Sequence, residues 1–331
     1  LSNILITGGL GLIGHNVVVN LMKDHNIVIV DTKTTYGLVP QDEIDYLMEE
    51  RFKVIASRVT GNNDINIYPI DIASPQMFSL FEKYQFSHVL HLASFPRQKV
   101  VNVDPVKGSR TMSEGLLNLL ELSKQFDVKR FTYISSSMVY GDFEDQVTED
   151  YNCKPQGQYG IMKLAGEWLV KDYTRQCGME HTIIRPSAVY GPLDVEDRVI
   201  SKFLITAMKG GTLTVNGKSE TLDFTYVQDA ADGIAAATFS PKAANKTYNI
   251  TKSHSVSLYE AAKLAVKIVG KGKIAVRSKD KDFPSRGALN IDAARKDFKF
   301  DPKVDVEEGF KIYYDWLSNS PFWIKKTNTA D

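Results

Sequence analysis

The chain has 331 residues, 43% of them hydrophobic, and its 40 basic and 40 acidic side chains cancel. That length suits one large α/β domain or a nucleotide domain with a smaller companion, and zero net charge gives no global attraction to nucleic acid or an anionic membrane. Cys153, Cys177 and the six histidines show no metal-ligand or disulfide-framework spacing, and no apolar run approaches the roughly 18 residues of a membrane span. A metal-free protein of a reducing, cytoplasmic compartment is expected, its first residues reading as a strand and not as a leader.

In chain order, Asn3–Ile6 is a short apolar run that reads as a fully buried strand. It enters Thr7-Gly8-Gly9-Leu10-Gly11-Leu12-Ile13-Gly14 and then Val17–Met22, a helix packed on a sheet. Strand, glycine turn and helix form the context of a dinucleotide fingerprint. Glycine lets the chain turn at positive φ and approach a pyrophosphate closely, and the helix start holds the phosphate charge. Gly8, Gly11, Leu12, Ile13 and Gly14 are therefore candidate cofactor residues. A second strand, Ile27–Val30, ends in Asp31, about twenty residues past the glycines, where a carboxylate accepts hydrogen bonds from ribose hydroxyls and repels a 2′-phosphate. NAD is expected over NADP; nearby Lys33 is the residue that would favour NADP.

The polar stretch Thr32–Asn66 carries a charged helical piece around Asp42–Glu50 with no obvious apolar face, expected to decorate the adenosine end. A third strand, Asn66–Ile70, ends in Asp71-Ile72. Helix Pro75–Tyr84, strand His88–Ala93, amphipathic helix Thr111–Phe126 and strand Arg130–Ile134 follow, the last running into Ser135-Ser136-Ser137. Such alternation predicts a parallel, doubly wound sheet whose ligands lie beyond the carboxyl ends of the strands.

A helix is expected from Tyr159 to about Arg175, and a sixth strand over His181–Arg185, stopped by Pro186. Regular alternation then lapses. Helix Val199–Lys209, strands Thr212–Val215 and Asp223–Val227, and helix Ala230–Thr238 with Asp229 as its N-cap come next. Strand Thr247–Ile250 and helices Leu258–Val269 and Val306–Leu317 complete the reading, the last taken as the final helix. Residues 1–186 with about 223–253 are assigned to the nucleotide-binding domain. About 187–222 with 254–331 form a smaller, discontinuous one. The apolar tail Pro321–Ile324 has no assigned target.

Tyr159 and Lys163 stand at i and i+4, on one face of a helix. A tyrosine titrates near 10, so it needs a neighbouring ammonium and a positive nicotinamide ring to act as a base at neutral pH. By itself Y-x-x-x-K is common on exposed helices. The serines at a strand end some twenty residues earlier change its weight, since a hydroxyl there can hydrogen-bond the substrate oxygen. A serine run also makes ordinary turns and caps.

Together these residues resemble the extended short-chain dehydrogenase/reductases, nearest the NAD-dependent nucleotide-sugar epimerase/dehydratase family. The order Thr7-Gly8-Gly9-x-Gly11-x-x-Gly14, Asp31, Asp71-Ile72, His91-Leu92-Ala93, Ser136, Tyr159-x-x-x-Lys163, Arg185-Pro186 with Tyr190-Gly191-Pro192, and Asp223-Phe224-x-Tyr226-Val227-x-Asp229 carries the likeness. It implies an α/β fold, a Rossmann doubly wound parallel sheet with a smaller, discontinuous C-terminal substrate domain. It implies NAD, a nucleotide-sugar substrate, and a homodimer built through the two helices carrying Leu116–Leu120 and Tyr159–Lys163. Catalysis is implied for Ser136, Tyr159 as base and Lys163 as its partner. Asp71 and Ile72 would meet the adenine, Leu92, Ala93 and Ser94 the pyrophosphate and ribose region, and Pro186 and Val189 the nicotinamide.

After the catalytic serine, similar 4,6-dehydratases carry Asp-Glu, the decarboxylases a glutamate in the second place, and the 3,5-epimerases and fucose synthases a cysteine there. Ser137-Met138 fits none of these, and Met138 is neither acid nor base. What remains is 4-epimerisation, or a 4-dehydrogenase or ketoreductase using the same three residues. A non-catalytic dinucleotide sensor is a rival that would not need the whole set. Leu222 replaces the arginine that usually grips the diphosphate. Arg198, Arg286 and, less directly, Arg97 are candidate substitutes, with solvated surface arginines as the alternative. Ser187 and Ser137 are candidate sugar contacts, and His91 is expected to be a packed strand residue.

Overall fold

Ile4 and Ile6 bury themselves on one side of the main sheet and Leu5 on the other. Ile27 and Ile29 divide from Val28 and Val30 in the same way. Continuous apolar runs of this kind belong to strands covered on both faces, and the computed structural model, which describes residues 1–33, 37–59, 65–281 and 283–328, has such a sheet. Its seven strands are β1 Ser2–Thr7, β2 His25–Val30, β3 Ile65–Tyr68, β4 His88–His91, β5 Arg130–Ile134, β6 Glu180–Pro186 and β7 Lys246–Ile250. They lie in the order β7-β6-β5-β4-β1-β2-β3, every neighbouring pair parallel. Helices Leu12–Leu21, Val227–Phe239 and Asp292–Phe298 supply Val17, Ile234 and Ala294 to the core on one face. Gln76–Tyr84, Gly115–Gln125 and Gly157–Cys177 supply Phe81, Leu119 and Val170 to the other.

A further apolar core lies beyond the strand ends. Val199–Met208, Leu258–Val269 and Val306–Asn319 enclose Leu204, Ala262 and Phe310 against the parallel pair Thr212–Asn216 and Lys273–Arg277. The expected strand Asp223–Val227 is split here. Thr221–Asp223 pairs antiparallel with Ser255–Ser257, whereas Thr225–Tyr226 pairs parallel with Val189–Tyr190, so the chain bends at Phe224 to serve two partners.

Other expectations are also corrected. Asp229 is no N-cap: its helix begins at Val227, and its carboxylate instead accepts the N–H groups of Lys303 and Val304, each at 2.9 Å. Two short helices, Gln98–Val103 and Pro105–Ser109, occupy a span where no element was expected. The charged piece around Asp42–Glu50 belongs to a longer helix, Gln41–Ala56, that does have an inward face of Glu43, Ile44, Leu47, Arg51 and Ile55. Its stripe is hidden in the sequence because two members are charged. Arg51 donates to Leu10 O at 2.9 Å and to Leu193 O at 2.6 Å. Glu43 accepts from Glu196 N at 2.7 Å and pairs with Lys326 at 2.9 Å. The remainder of the Thr32–Asn66 reading at 34–36 and 60–64 lies outside the described residues.

Val306–Asn319 is followed by another helix, Pro321–Asn328, which gives the apolar tail its target. Trp323 is fully buried in the further core, and Phe322 stacks on Tyr46 with ring centroids 4.5 Å apart. No described helix is long and apolar enough to cross a membrane, and no described group of three His, Cys, Asp or Glu side chains is placed to hold a metal. Trp323→Ala should lower stability by about 3–5 kcal/mol, the usual cost of emptying so large a buried site. Urea unfolding checks this, and an unchanged midpoint would mean that the last helix does not dock.

Candidate active site

The strand ends line two adjoining cavities. One, of about 330 Å³, runs along the glycine turn and is lined by Gly8, Gly11, Leu12, Ile13, Gly14, Asp31, Asp71, Ile72, Leu92, Ala93, Ser94 and Val189. The turn needs glycine at two places. Gly8 sits at φ +70°, where a Cβ would come within 2.7 Å of Ala93 N, and a Cβ on Gly14 would lie 2.1 Å from Gly8 O. No side chain caps the helix start at Gly11, leaving its first N–H groups facing the turn. Asp31 is fixed by Leu10 N and Lys33 N, one on each carboxylate oxygen at 3.0 Å, which leaves lone pairs for ribose hydroxyls. A close backbone cradle, an open helix terminus and a distal carboxylate fit a dinucleotide. Lys33 departs from the expectation: it is exposed and off the cavity wall, its backbone at φ 55° serving Asp31.

The second cavity, of about 360 Å³, is lined by Ser136, Tyr159, Lys163 and Pro186, with Arg97, Ser137, Ser187, Arg198 and Arg286 around them. Gly157–Cys177 presents Tyr159 and Lys163 on one buried face. Burial raises the Tyr159 phenol above its ordinary value, opposed by its hydrogen bond with Ser136 and the charges of Arg198 and Arg286. Lys163 donates to Ile134 O at 2.7 Å, and burial lowers its ammonium to about 7 against the pull of Glu167. The three serines have separate tasks. Ser135 donates to Glu167 at 2.6 Å, Ser137 to Ser187 at 3.2 Å, and Ser136 both caps Met138 N at 3.2 Å and meets Tyr159. His91 is buried against Thr7 at 2.8 Å, and burial lowers it to about 3, so it stays a neutral packing residue, as expected.

The arginines differ in how far they are engaged. Arg97 reaches across the cleft to Asp197, donating to its carbonyl at 2.6 Å and its carboxylate at 2.8 Å. Arg198 donates to Val189 O at 3.2 Å and faces Asp194 at 3.7 Å. Arg286 has a buried Nε without a hydrogen-bond partner, and burial lowers its guanidinium to about 10. Leu222 forms part of the same wall.

Residues that sequence reasoning passed over also shape the site. Gln98, buried on the short helix after β4, accepts the Tyr159 N–H at 3.1 Å. Glu167 and Arg185 form a buried ion pair beneath Ser135. Asp194 lines both cavities. Glu167 had a readable signal, four residues past Lys163 on the same helical face; Gln98 and Asp194 had none.

Against known proteins, the profile described as the NAD dependent epimerase/dehydratase family matches residues 4–251. An uncharacterised UDP-glucose epimerase of Bacillus subtilis is 28% identical, over 96% of this chain and 98% of that protein. UDP-glucuronic acid decarboxylase 1 of Xenopus tropicalis is 31% identical, over 95% of this chain and 72% of that protein. The solved structure of UDP-glucuronic acid 4-epimerase from Bacillus cereus, in complex with UDP-glucuronic acid and NAD, has a TM-score of 0.86 and 26% identity, covering 96% of this chain and 99% of that one. With its parallel sheet, glycine turn and shared Ser, Tyr and Lys cavity, the chain belongs to the NAD-dependent epimerase/dehydratase family of enzymes.

Proposed function

We propose that this enzyme epimerises a nucleotide-activated sugar at C4, through a 4-keto sugar intermediate. The observation that carries this reading is the make-up of the reacting corner. Ser136, Tyr159 and Lys163 share one cavity wall with Met138, which is packed with Phe95, Val100, Val101 and Tyr159. The charges that lower Tyr159 are those of Arg198 and Arg286, with Lys163 Nζ 6.0 Å from its ring, and none is a carboxylate. Among the described residues no carboxylate acts on Tyr159 as the second acid or base that dehydration or decarboxylation would call on.

Gly8, Gly11, Gly14, Asp31, Asp71 and Ala93 would hold NAD, with Val189 and Pro186 toward its nicotinamide end. NAD held there supplies a reversible hydride acceptor and a positive ring. Ser136 Oγ hydrogen-bonds the C4 oxygen, and Tyr159 Oη takes the hydroxyl proton as that carbon is oxidised. Buried Tyr159 is protonated at rest, so the Lys163 ammonium and added positive charge are needed to bring its phenolate within reach. The same Oη returns the proton when C4 is reduced from the opposite face. Arg198 and Arg286 hold the diphosphate in place of the arginine that Leu222 replaces. Exposed apolar Leu117, Ile161 and Trp168, on Gly115–Gln125 and Gly157–Cys177, support a homodimer formed through those two helices.

Protein purified without added cofactor should release NAD or NADH near one per chain on denaturation, identified by mass. It should then interconvert a nucleotide sugar and its C4 epimer with no net oxidation. Tyr159→Phe should lose turnover by about 10²–10⁴-fold and keep its dinucleotide. Full activity in that variant overturns the assignment, and an empty protein that prefers NADP points instead to a 4-dehydrogenase or ketoreductase exchanging cofactor each cycle.

Lys163 gives a separate prediction. Its folded value of about 7 lies below the ordinary 10.5, so between these pH values the unfolded chain binds the extra proton and stability rises with pH. Its destabilising effect is full below pH 7. Lys163→Met should therefore raise the thermal midpoint of the cofactor-free protein most at pH 7 and below, while activity is lost. For the dimer, light scattering should report twice the chain mass, reduced to the chain mass in Trp168→Glu.

A further inference from the structure

Asp194 stands where the two cavities meet, contributing to the wall of both, and is 4% exposed. Its Oδ1 accepts the Val195 N–H at 2.9 Å, while its Oδ2 is buried with no hydrogen-bond partner. The nearest cation, Arg198 Nε, stays at 3.7 Å from that oxygen, beyond hydrogen-bonding distance. A buried carboxylate oxygen left without a donor is costly, and such groups are rare unless a ligand completes them.

The surrounding charges say which ligand group suits it. Burial raises the Asp194 carboxyl above its ordinary value, and Arg198, Arg51 and Arg97 pull it back toward the ionised form. Arg51 is held by the carbonyls of Leu10 and Leu193, and Arg97 by Asp197. Asp194 is thus the chain's own carboxylate among these guanidiniums. A second carboxylate there meets a like charge in a site shielded from water. With Arg198 and Arg286 assigned to the diphosphate, Arg97 and Lys99 remain on the same cavity wall, and both already pair with Asp197. A hydroxyl meets no such obstacle, and its O–H donates to the free oxygen.

We propose that Asp194 is a specificity residue whose Oδ2 accepts a hydrogen bond from a sugar hydroxyl and whose charge excludes a sugar carboxylate. The substrate is then a neutral nucleotide-hexose and not a nucleotide-hexuronate. This rests on reading the larger cavity as a nucleotide-sugar site, and it separates the chain from the decarboxylase and 4-epimerase named for glucuronic acid among its relatives.

The test is calorimetric titration of the NAD-loaded enzyme with UDP-glucose and with UDP-glucuronate. Wild type should bind the hexose, and the uronate at least about a hundredfold more weakly, as expected for like charges forced together. Asp194→Asn keeps the acceptor for Val195 N and removes the charge; it should narrow that ratio at least tenfold, by gaining affinity for UDP-glucuronate. Equal binding of the two sugars by wild type, or an unchanged ratio in the variant, overturns this inference alone. Failure of both to bind overturns the nucleotide-sugar reading and this inference with it.

Discussion

Glu167 and Arg185 meet at 2.6 Å with both side chains almost wholly removed from water. Burying two charges costs several kcal/mol per ion unless hydrogen bonds satisfy the rest of each group. Here they do. Glu167 also accepts from Arg185 Nε at 2.8 Å and from Ser135 at 2.6 Å. Arg185 also donates to Tyr140 Oη at 2.9 Å and to Glu149 O at 3.0 Å, and Tyr140 continues to Asn249 at 2.8 Å. One cluster therefore ties the helix Gly157–Cys177 to the ends of β5, β6 and β7. Losing either member leaves an uncompensated buried charge, typically worth about 3–5 kcal/mol. It also frees the register of the helix, on which Lys163 and Tyr159 lie one and two turns before Glu167.

Much of this was readable in the residues because the relevant signals are local. The glycine turn, Asp31 at the end of β2 and the i, i+4 pair Tyr159 and Lys163 each depend on a few neighbouring positions. Six strands of the main sheet are apolar runs between turn residues, and their alternation with helices leaves little choice of topology. The misses have the opposite character. Gln41–Ala56 hides its inner face because Glu43 and Arg51 are buried with partners about 40 to 280 residues away. Asp229 resembles a cap because nothing nearby announces Lys303 and Val304 as competing donors. The sequence shows the charge of Lys33, whereas its backbone N–H is what the structure uses.

Sites, not folds, separate activities within such a family. On the proposed reading, the cofactor cradle and the Ser136, Tyr159 and Lys163 set serve to oxidise and reduce a hydroxyl-bearing carbon. What else such a site can do depends on neighbouring groups, and here those are Met138, Ser137 with Ser187, and a set of guanidiniums balanced by Asp194 and Asp197. The chain combines a minimal acid–base apparatus with a strongly charged rim. On that reading chemistry and selection fall on different elements: Gly157–Cys177 and the β5 end for the first, the loops after β4 and β6 for the second.

The docking of Pro321–Asn328 on Gln41–Ala56 has a mechanical side. The Pro321–Asn328 helix returns to the first third of the sequence, with Phe322 against Tyr46 and Lys326 bonded to both Glu43 and Glu196. The two cores are thus fastened along the cleft by a strap as well as by the strands and helices that cross between them. Swinging them apart as leaves on one hinge would tear Trp323 from its core and strand Glu43 without its cation. The strap thus sets the last described helix against hinge-like opening between the two cores.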